Sequence, residues 1–373
     1  MKTGLVRLRI NIYMPSDKNY LKFCWVAIYS LFDMNRDSDI YVYLVSENIE
    51  ESDLLYLREL ERTFNQHIIL IHFNEGEAKE KGGLKEVGHW SIGLYSCYWL
   101  FHYLLPEDVD KIMTLEVDTV MVGSVQNIYN IDLDGFYAAS QGPEHSPKRH
   151  LEVSEFMGGD FFSSNLSVFN VKKIREEIEF NTILEKNREA LGYLQQEGTF
   201  GLLFKDKIKY FSAKTACLHE NCKSIEELGL KYIINAEKNV CLLHFPSYSD
   251  NAKPWNPVYI MPGFIKWWDI AQKSPYFEEY FLSQHKIYEE NVAKINNIKK
   301  NISYVNILLC AYIIMFLLLE CYCIAIKSDL AEAVLNIVFF VISFVLTLII
   351  RKFSIMGLKI KQRFKRSKTG TIC

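Results

Sequence analysis

The first 75 residues switch repeatedly between two hydrophobic periods. "LVRLRINIYM" is strand-like, "NYLKFCWVAIYSLFDMN" places apolar residues at helical spacing, and "IYVYLV" is a strand again. "IEESDLLYLRELERTF" is a helix with an acidic start, and "HIILIHF" is a third strand. This βαβαβ order predicts a parallel sheet with right-handed crossovers, whose ligands sit beyond the carboxyl ends of its strands. The loop "PSDKNY" that follows the first strand falls at such an end, where a nucleotide would bind.

Residues 89–111, "HWSIGLYSCYWLFHYLLPEDVDK", contain a nearly uncharged run. The flanking His89, the internal His102 and the stop at Pro106 favour a helix packed on the sheet over a membrane span. The segment "DKIMTLEVDTVMVGSV", residues 110–125, then carries a short buried strand into two carboxylates, Glu116 and Asp118, separated by one residue. Acids at the end of a buried strand need a cationic partner if they stay ionised. Two carboxylates around one residue can converge on a hard divalent ion and leave coordination positions open for phosphate oxygens, although two solvated surface acids would have the same spacing. Further strands are expected at "GFYAAS", "LSVFNV" and "CLLHF", and further helices at "KKIREEIEFNTILEKNREAL" and "IEELGLKYI". After Pro262, "GFIKWWDIAQKS" sets Phe264, Trp267, Trp268 and Ala271 on one helical face.

The last quarter of the chain has a different pattern. Residues 302–326 carry one charge, Glu320, and residues 330–350 carry one, Glu332. Each run is long enough for a spanning helix, which requires roughly 20 apolar residues. The connector "KSD" is too short for a domain, so a hairpin is expected, with both outer ends on the side marked by Lys294, Lys299, Lys300 and the basic tail. That places the large N-terminal part on the cytoplasmic face, and "MKTGLVRLRINIYMPSD" has no long apolar core of the signal-peptide kind. The expected organisation is a catalytic domain over 1–262, a helical linker over 263–300, a transmembrane hairpin over 301–350 and a basic tail over 351–373.

Charge divides at the same boundary. Residues 301–373 hold nine Lys/Arg against three Asp/Glu, which leaves 33 against 42 in residues 1–300. An acidic N-terminal part argues against nucleic acid as a partner. In "RKFSIMGLKIKQRFKRSK" the basic residues are interleaved with apolar ones, a composition suited to anionic membrane lipids. The nine cysteines are scattered and form no disulfide framework. "CLHENC" lacks the second ligand pair that a zinc site would need.

The order of these pieces resembles glycosyltransferase family 8, over roughly Arg9 to Pro257. "NIYMPSDKNYLKFCWVAIYSLFDMNRDSDIYVYLVSENI" is similar to its opening strand, nucleotide loop and crossover, and "DKIMTLEVDTVMVGSV" to its metal-binding segment. "FFSSNLSVFNVKKIRE" is similar to its sugar-site strand and helix, and "LHFPSYSDNAKPWNP" to its closing His and Lys-Pro-Trp signature. The resemblance implies an α/β GT-A fold, a mixed Rossmann-like sheet flanked by helices, followed here by the two expected spans. It places Glu116, Asp118 and His244 at metal-ligand positions, for manganese or magnesium. It implies that Asp17 and Asn19, with Tyr20 in the same loop, contact the nucleotide, that Ser163 and Asn165 lie at the sugar site, and that Lys253 neutralises the leaving diphosphate. Asp17 could equally cap the helix that follows it, and His244 could be a satisfied strand-edge histidine.

Several family motifs are altered. The usual Asp-x-Asp is Glu116-Val117-Asp118, and Cys97 stands where an arginine is common two residues after the helix tyrosine, here Tyr95. Asn-x-Gly becomes Ser163-Ser164-Asn165, Asp-Gln-Asp becomes Gln196-Glu197-Gly198, and the glycine before Lys-Pro-Trp is missing from a longer loop. These changes bear on sugar selectivity more than on fold. Glu197 sits where the family has a glutamine near the donor's anomeric carbon, so a carboxylate there could stabilise positive charge or act as nucleophile, with Gln196 beside it. The reading that follows is a membrane-anchored, metal-dependent retaining hexosyltransferase, moving a sugar from a nucleotide sugar of UDP type to an envelope or lipid-linked glycan acceptor. The competing reading is a catalytically inactive GT-A-fold scaffold or sugar-nucleotide-binding protein, favoured by the altered motifs and opposed by the joint retention of Asp118, His244 and Lys253.

Overall fold

A computed structural model describes residues 7–17, 19–47, 49–82, 95–143, 154–155, 158–190, 195–211, 217–218, 241–245, 252–257 and 262–326. It opens with β1 (Leu8–Pro15), α1 (Leu21–Met34), β2 (Ser38–Ser46), α2 (Glu51–Phe64) and β3 (His67–His72). These are the five elements expected from the periodicity, and β1–β2 and β2–β3 pair in parallel. After α3 (Glu75–Gly82) and the short α4 (Ser96–Trp99), the chain makes a π-helical turn, Leu100–Leu104, and enters β4 (Lys111–Thr114). Cys97, Tyr98, Leu100 and Phe101 are buried, as expected of a helix packed on the sheet.

Beyond β4 come β5 (Thr119–Met121), α5 (Gln126–Tyr129), β6 (Ala138–Gln141), β7 (Ser167–Asn170), α6 (Val171–Glu177), α7 (Phe180–Glu189), α8 (Gln195–Leu203) and β8 (Ile208–Phe211). The main sheet has seven strands in the order β3-β2-β1-β4-β7-β6-β8. β7 runs antiparallel to both neighbours, so β1, β2, β3, β4, β6 and β8 all point their carboxyl ends at the same edge. The strand expected at "CLLHF" does not join this sheet. As β10 (Leu242–His244) it lies between β5 and β9 (Cys217–Leu218) in a separate three-stranded sheet, because β5 turns out of the main sheet after the acidic pair.

One face of the main sheet is covered by α4, the π-helical turn and the α6–α8 run. Phe101, Phe162, Phe169, Phe200 and Phe204 meet there in a fully buried cluster, with Phe200 and Phe204 stacked at 5.2 Å. Removing a side chain of this size from water contributes about 2–3 kcal/mol. The single helix expected at "KKIREEIEFNTILEKNREAL" is broken into α6 and α7 at Ile178, whose φ of −123° and ψ of 115° are extended. That conformation puts Ile178 into the core, and no glycine or proline announces it. The helix expected at "IEELGLKYI" lies outside the described residues. On α9 (Pro262–Ala271) Phe264, Trp267 and Ala271 of the expected stripe are buried and Trp268 is half-buried, so three of its four residues are core; α9 packs against α1.

The chain divides into two compact units, Met1–Pro246 with Pro257–Glu278, and Ser247–Asn256 with Glu279–Cys373. The second unit holds β11 (Ala252–Lys253), the start of β12 (Asn256–Pro257) and nearly all of α10 (Phe277–Ile326), a helix of 50 residues. Residues 277–300 of the expected linker and the first expected span, to residue 326, therefore share one continuous helix, while residues 263–271 of that linker lie in α9. Among the described residues, no helix is long and apolar enough to cross a membrane. The first half of α10 accounts for part of this, because charges such as Glu278, Glu289, Lys294 and Lys299 interrupt its apolar residues. The two-span hairpin thus lacks structural support, and its second run and the basic tail lie outside the described residues.

Candidate active site

The acidic pair occupies the crossing from β4 to β5. Leu115 N–H still donates to Tyr13 O at 2.9 Å, extending the β1–β4 pairing by one residue, and Thr119 Oγ1 donates to Glu116 O at 2.6 Å, closing a tight turn. β5 then pairs antiparallel with β10, with His244 opposite Thr119, and Phe245 N–H donates to Asp118 O at 3.0 Å. This ladder places residue 244 beside residue 118 although 126 positions separate them in sequence.

As a result, His244 Nε2 lies 2.9 Å from Glu116 Oε2 and 3.4 Å from Asp118 Oδ1. One ligand atom from each of the three residues falls within 4.8 Å of the others. Asp118 and His244 are buried at 7% and 2% exposure, whereas Glu116 is half-buried. Two carboxylate oxygens and an imidazole nitrogen at this mutual distance suit a divalent ion of the manganese or magnesium type, and the half-open side at Glu116 leaves room for further oxygen ligands. The three sequence-predicted metal residues are therefore brought together.

The other candidates have different local roles. Asp17, after β1, accepts from the backbone N–H groups of Asn19 (2.7 Å) and Tyr20 (3.1 Å) through Oδ1, so it organises the turn into α1. Asn19 is exposed and Tyr20 half-buried, with its ring edge-on to Phe23 at 5.8 Å. Ser163 is fully buried; its N–H donates to Ser140 Oγ at 2.9 Å and its hydroxyl to Gln141 Oε1 at 3.3 Å. Asn165, two residues on, is half-buried. Gln196 and Glu197 lie in the first turn of α8, half-buried and 8% exposed respectively. Lys253 belongs to the second unit, buried on β11 with its Nζ 5.9 Å from the Trp255 ring centre.

Two contributors carried no sequence signal. Thr114, the last residue of β4, donates to Ser164 O at 3.0 Å and accepts from Ser167 N–H at 3.0 Å, tying the strand that leads to the acids to the Ser163–Asn165 segment. A threonine in an apolar strand reads simply as core. Tyr98 OH joins Asn187 Oδ1 (3.1 Å) and Thr199 Oγ1 (3.0 Å), all three buried, and so anchors α8 to α4 and α7. Cys24, Cys97 and Cys241 are buried free thiols, and burial pushes Cys24 up to about 12 and Cys97 well above its ordinary value.

An open, mostly parallel sheet with an acid–acid–imidazole cluster at its carboxyl edge defines a GT-A-type nucleotide-sugar fold. The chain belongs to glycosyl transferase family 8, whose family model matches residues 11–258. It is 21% identical over 209 residues to a Haemophilus influenzae protein named as a glycosyltransferase, a match spanning 54% of this chain and 62% of that relative. Among solved structures it is similar to the galactosyltransferase LgtC in complex with donor and acceptor sugar analogues, at 19% identity and a TM-score of 0.57, covering 71% of this chain and 96% of that one. The bifunctional glycosyltransferase WbbM is similar over 76% of this chain and 53% of its own, at 14% identity and a TM-score of 0.59. At these identities the structural likenesses show the fold.

Proposed function

We propose that the chain is a metal-dependent glycosyltransferase that moves a hexose from a nucleotide sugar of UDP type to a glycan or lipid-linked acceptor, with retention at the anomeric carbon. The observation that carries this reading is the convergence of Glu116, Asp118 and His244 within 4.8 Å at the carboxyl edge of the sheet. These residues would hold the ion, which supplies Lewis-acid stabilisation of a leaving diphosphate. The turn at Asp17, Asn19 and Tyr20 follows β1 at the same edge and is the candidate nucleotide contact. The segment carrying Ser163 and Asn165 is joined through Thr114 to the strand that precedes the acids, which supports its role at the sugar. Glu197 supplies a carboxylate able to stabilise positive charge at the anomeric carbon, with Gln196 beside it.

We also propose attachment to the cytoplasmic face of a membrane. Support comes from the single charge in residues 302–326 and from the exposed Ile307, Ile313, Ile314, Met315, Leu317 and Leu318 on α10. A helix of that run measures about 37 Å against a hydrocarbon core of about 30 Å. Holding the enzyme at that surface raises its effective concentration near a lipid-linked acceptor.

The test is hydrolysis and transfer from a panel of nucleotide sugars by the detergent-solubilised full chain, with and without manganese. Turnover that requires the ion and falls at least about 100-fold in Asp118→Ala is the expected result. Donor binding with no turnover, in the presence of membrane glycolipid as acceptor, would instead establish the non-catalytic scaffold.

A further inference from the structure

Between the sugar-site segment and α8 the two backbones touch. Asp160 N–H donates to Gly201 O at 3.0 Å, and Asp160 Oδ2 accepts from Asp206 N–H at 2.6 Å. Gly201 lies in the last turn of α8, where helix carbonyls have no partner inside the helix, so the bond from Asp160 satisfies one of them. The same bond draws the chain in so far that a Cβ on Gly159 would stand 3.0 Å from both Gly201 C and Gly201 O and 3.1 Å from Leu202 N. These are backbone atoms of a helix, which cannot swing aside as a side chain can.

Gly201 is four residues after Glu197, so the two lie on one face of α8, a turn apart. The segment touching that face runs on from Asp160 through Phe161 and Phe162 to Ser163 and Asn165, and Thr114 fixes it to the strand that leads to Glu116 and Asp118. A continuous set of contacts thus connects the acidic pair to the helix carrying Glu197.

We propose that Gly159 is a positioning residue, whose backbone contact with Gly201 sets the depth of α8 and thereby the place of Glu197 relative to the sugar site. The proposal rests on the glycosyltransferase reading given above. It predicts that any side chain at position 159 displaces α8 by a few tenths of an ångström, enough to lower turnover because misplacement by 1 Å costs about 100-fold.

The neighbouring glycine supplies the control. Gly158 has φ +64°, so alanine there strains the backbone, yet nothing lies within 4 Å of its Cβ position. Gly159 does not have a positive φ, so alanine there is conformationally ordinary and differs only in pressing on α8. Full-length wild type, Gly158→Ala and Gly159→Ala are compared by steady-state transfer, by manganese affinity and by circular dichroism. The expected result is a kcat about tenfold lower in Gly159→Ala, with donor KM and manganese affinity within about twofold of wild type, and a kcat within about twofold in Gly158→Ala. Equal kcat values in all three, or an equal loss in both variants, overturns the proposal. If Gly159→Ala does not fold, Gly159→Ser and Gly158→Ser are measured against the same criteria, and failure of both 159 variants to fold while the 158 variants fold assigns the contact to stability alone and overturns it too. Absence of turnover in the wild type would overturn the glycosyltransferase reading itself, which keeps the two failures distinct.

Discussion

Replacing an aspartate by Glu116 lengthens the reach of the first acid by one methylene, and His244 receives it at 2.9 Å while Asp118 stands at 3.4 Å. The longer side chain also leaves its carboxylate half-exposed, whereas Asp118 and the imidazole are buried. Glu197 is the other place where a single side chain changes the chemistry available. Glu197 is 8% exposed in the first turn of its helix, at the positive end of the helix dipole, and under the proposed function a charged carboxylate there would oppose positive charge building up on a sugar. Glu197→Gln keeps the shape and removes the charge. Steady-state kinetics should show kcat about 100-fold lower with donor KM within threefold, and an unchanged kcat would exclude the carboxylate from the reaction.

At the scale of elements, α8 matters most, because it presents Gln196 and Glu197 from a helix only nine residues long. Its alignment depends on the buried hydroxyl of Tyr98, bonded to Asn187 on α7 and to Thr199 on α8 itself. Tyr98→Phe keeps the ring packing and removes one hydrogen bond each from Asn187 and Thr199, which retain the 3.5 Å contact from Thr199 Oγ1 to Asn187 Oδ1. A loss of about 1–3 kcal/mol is expected, seen as a lower denaturant midpoint at constant m-value; no shift would mean that the remaining Thr199–Asn187 bond suffices.

The elements differ in how openly the sequence declares them. The βαβαβ opening was legible because amphipathic helices and apolar strands alternate over 65 residues with clear periods, and Glu116 with Asp118 was legible because ionised groups seldom end a buried strand. The break at Ile178 was not, since it follows from what packs above it and no local residue disfavours a helix there. Neither was the departure of β5 and β10 into their own sheet, because a three-residue apolar strand has the same composition in either sheet. The roles of Thr114 and Tyr98 depend on partners 50 to 101 positions away, a distance at which pattern reading has no purchase.

Across the whole molecule, the acidic first 300 residues and the basic last 73 would sit in different surroundings if the membrane proposal holds. An integral anchor resists alkaline carbonate, whereas a tail held only by lipid headgroups is released by it, because the wash strips electrostatic but not hydrophobic attachment. The full chain should remain in the membrane pellet after such a wash, and its appearance in the supernatant would remove the hairpin while leaving surface adhesion of the basic tail in place.

The pairing of β5 with β10 has a consequence for the order of events during synthesis. The two acids emerge from the ribosome early, but the imidazole that completes their cluster follows 126 residues later and must find its place by docking against a strand already made. Until then a growing chain can fold much of its sheet and still lack the third member of that cluster. If the proposed function holds, the docking of β10 acts as a safety catch, and competence waits on it.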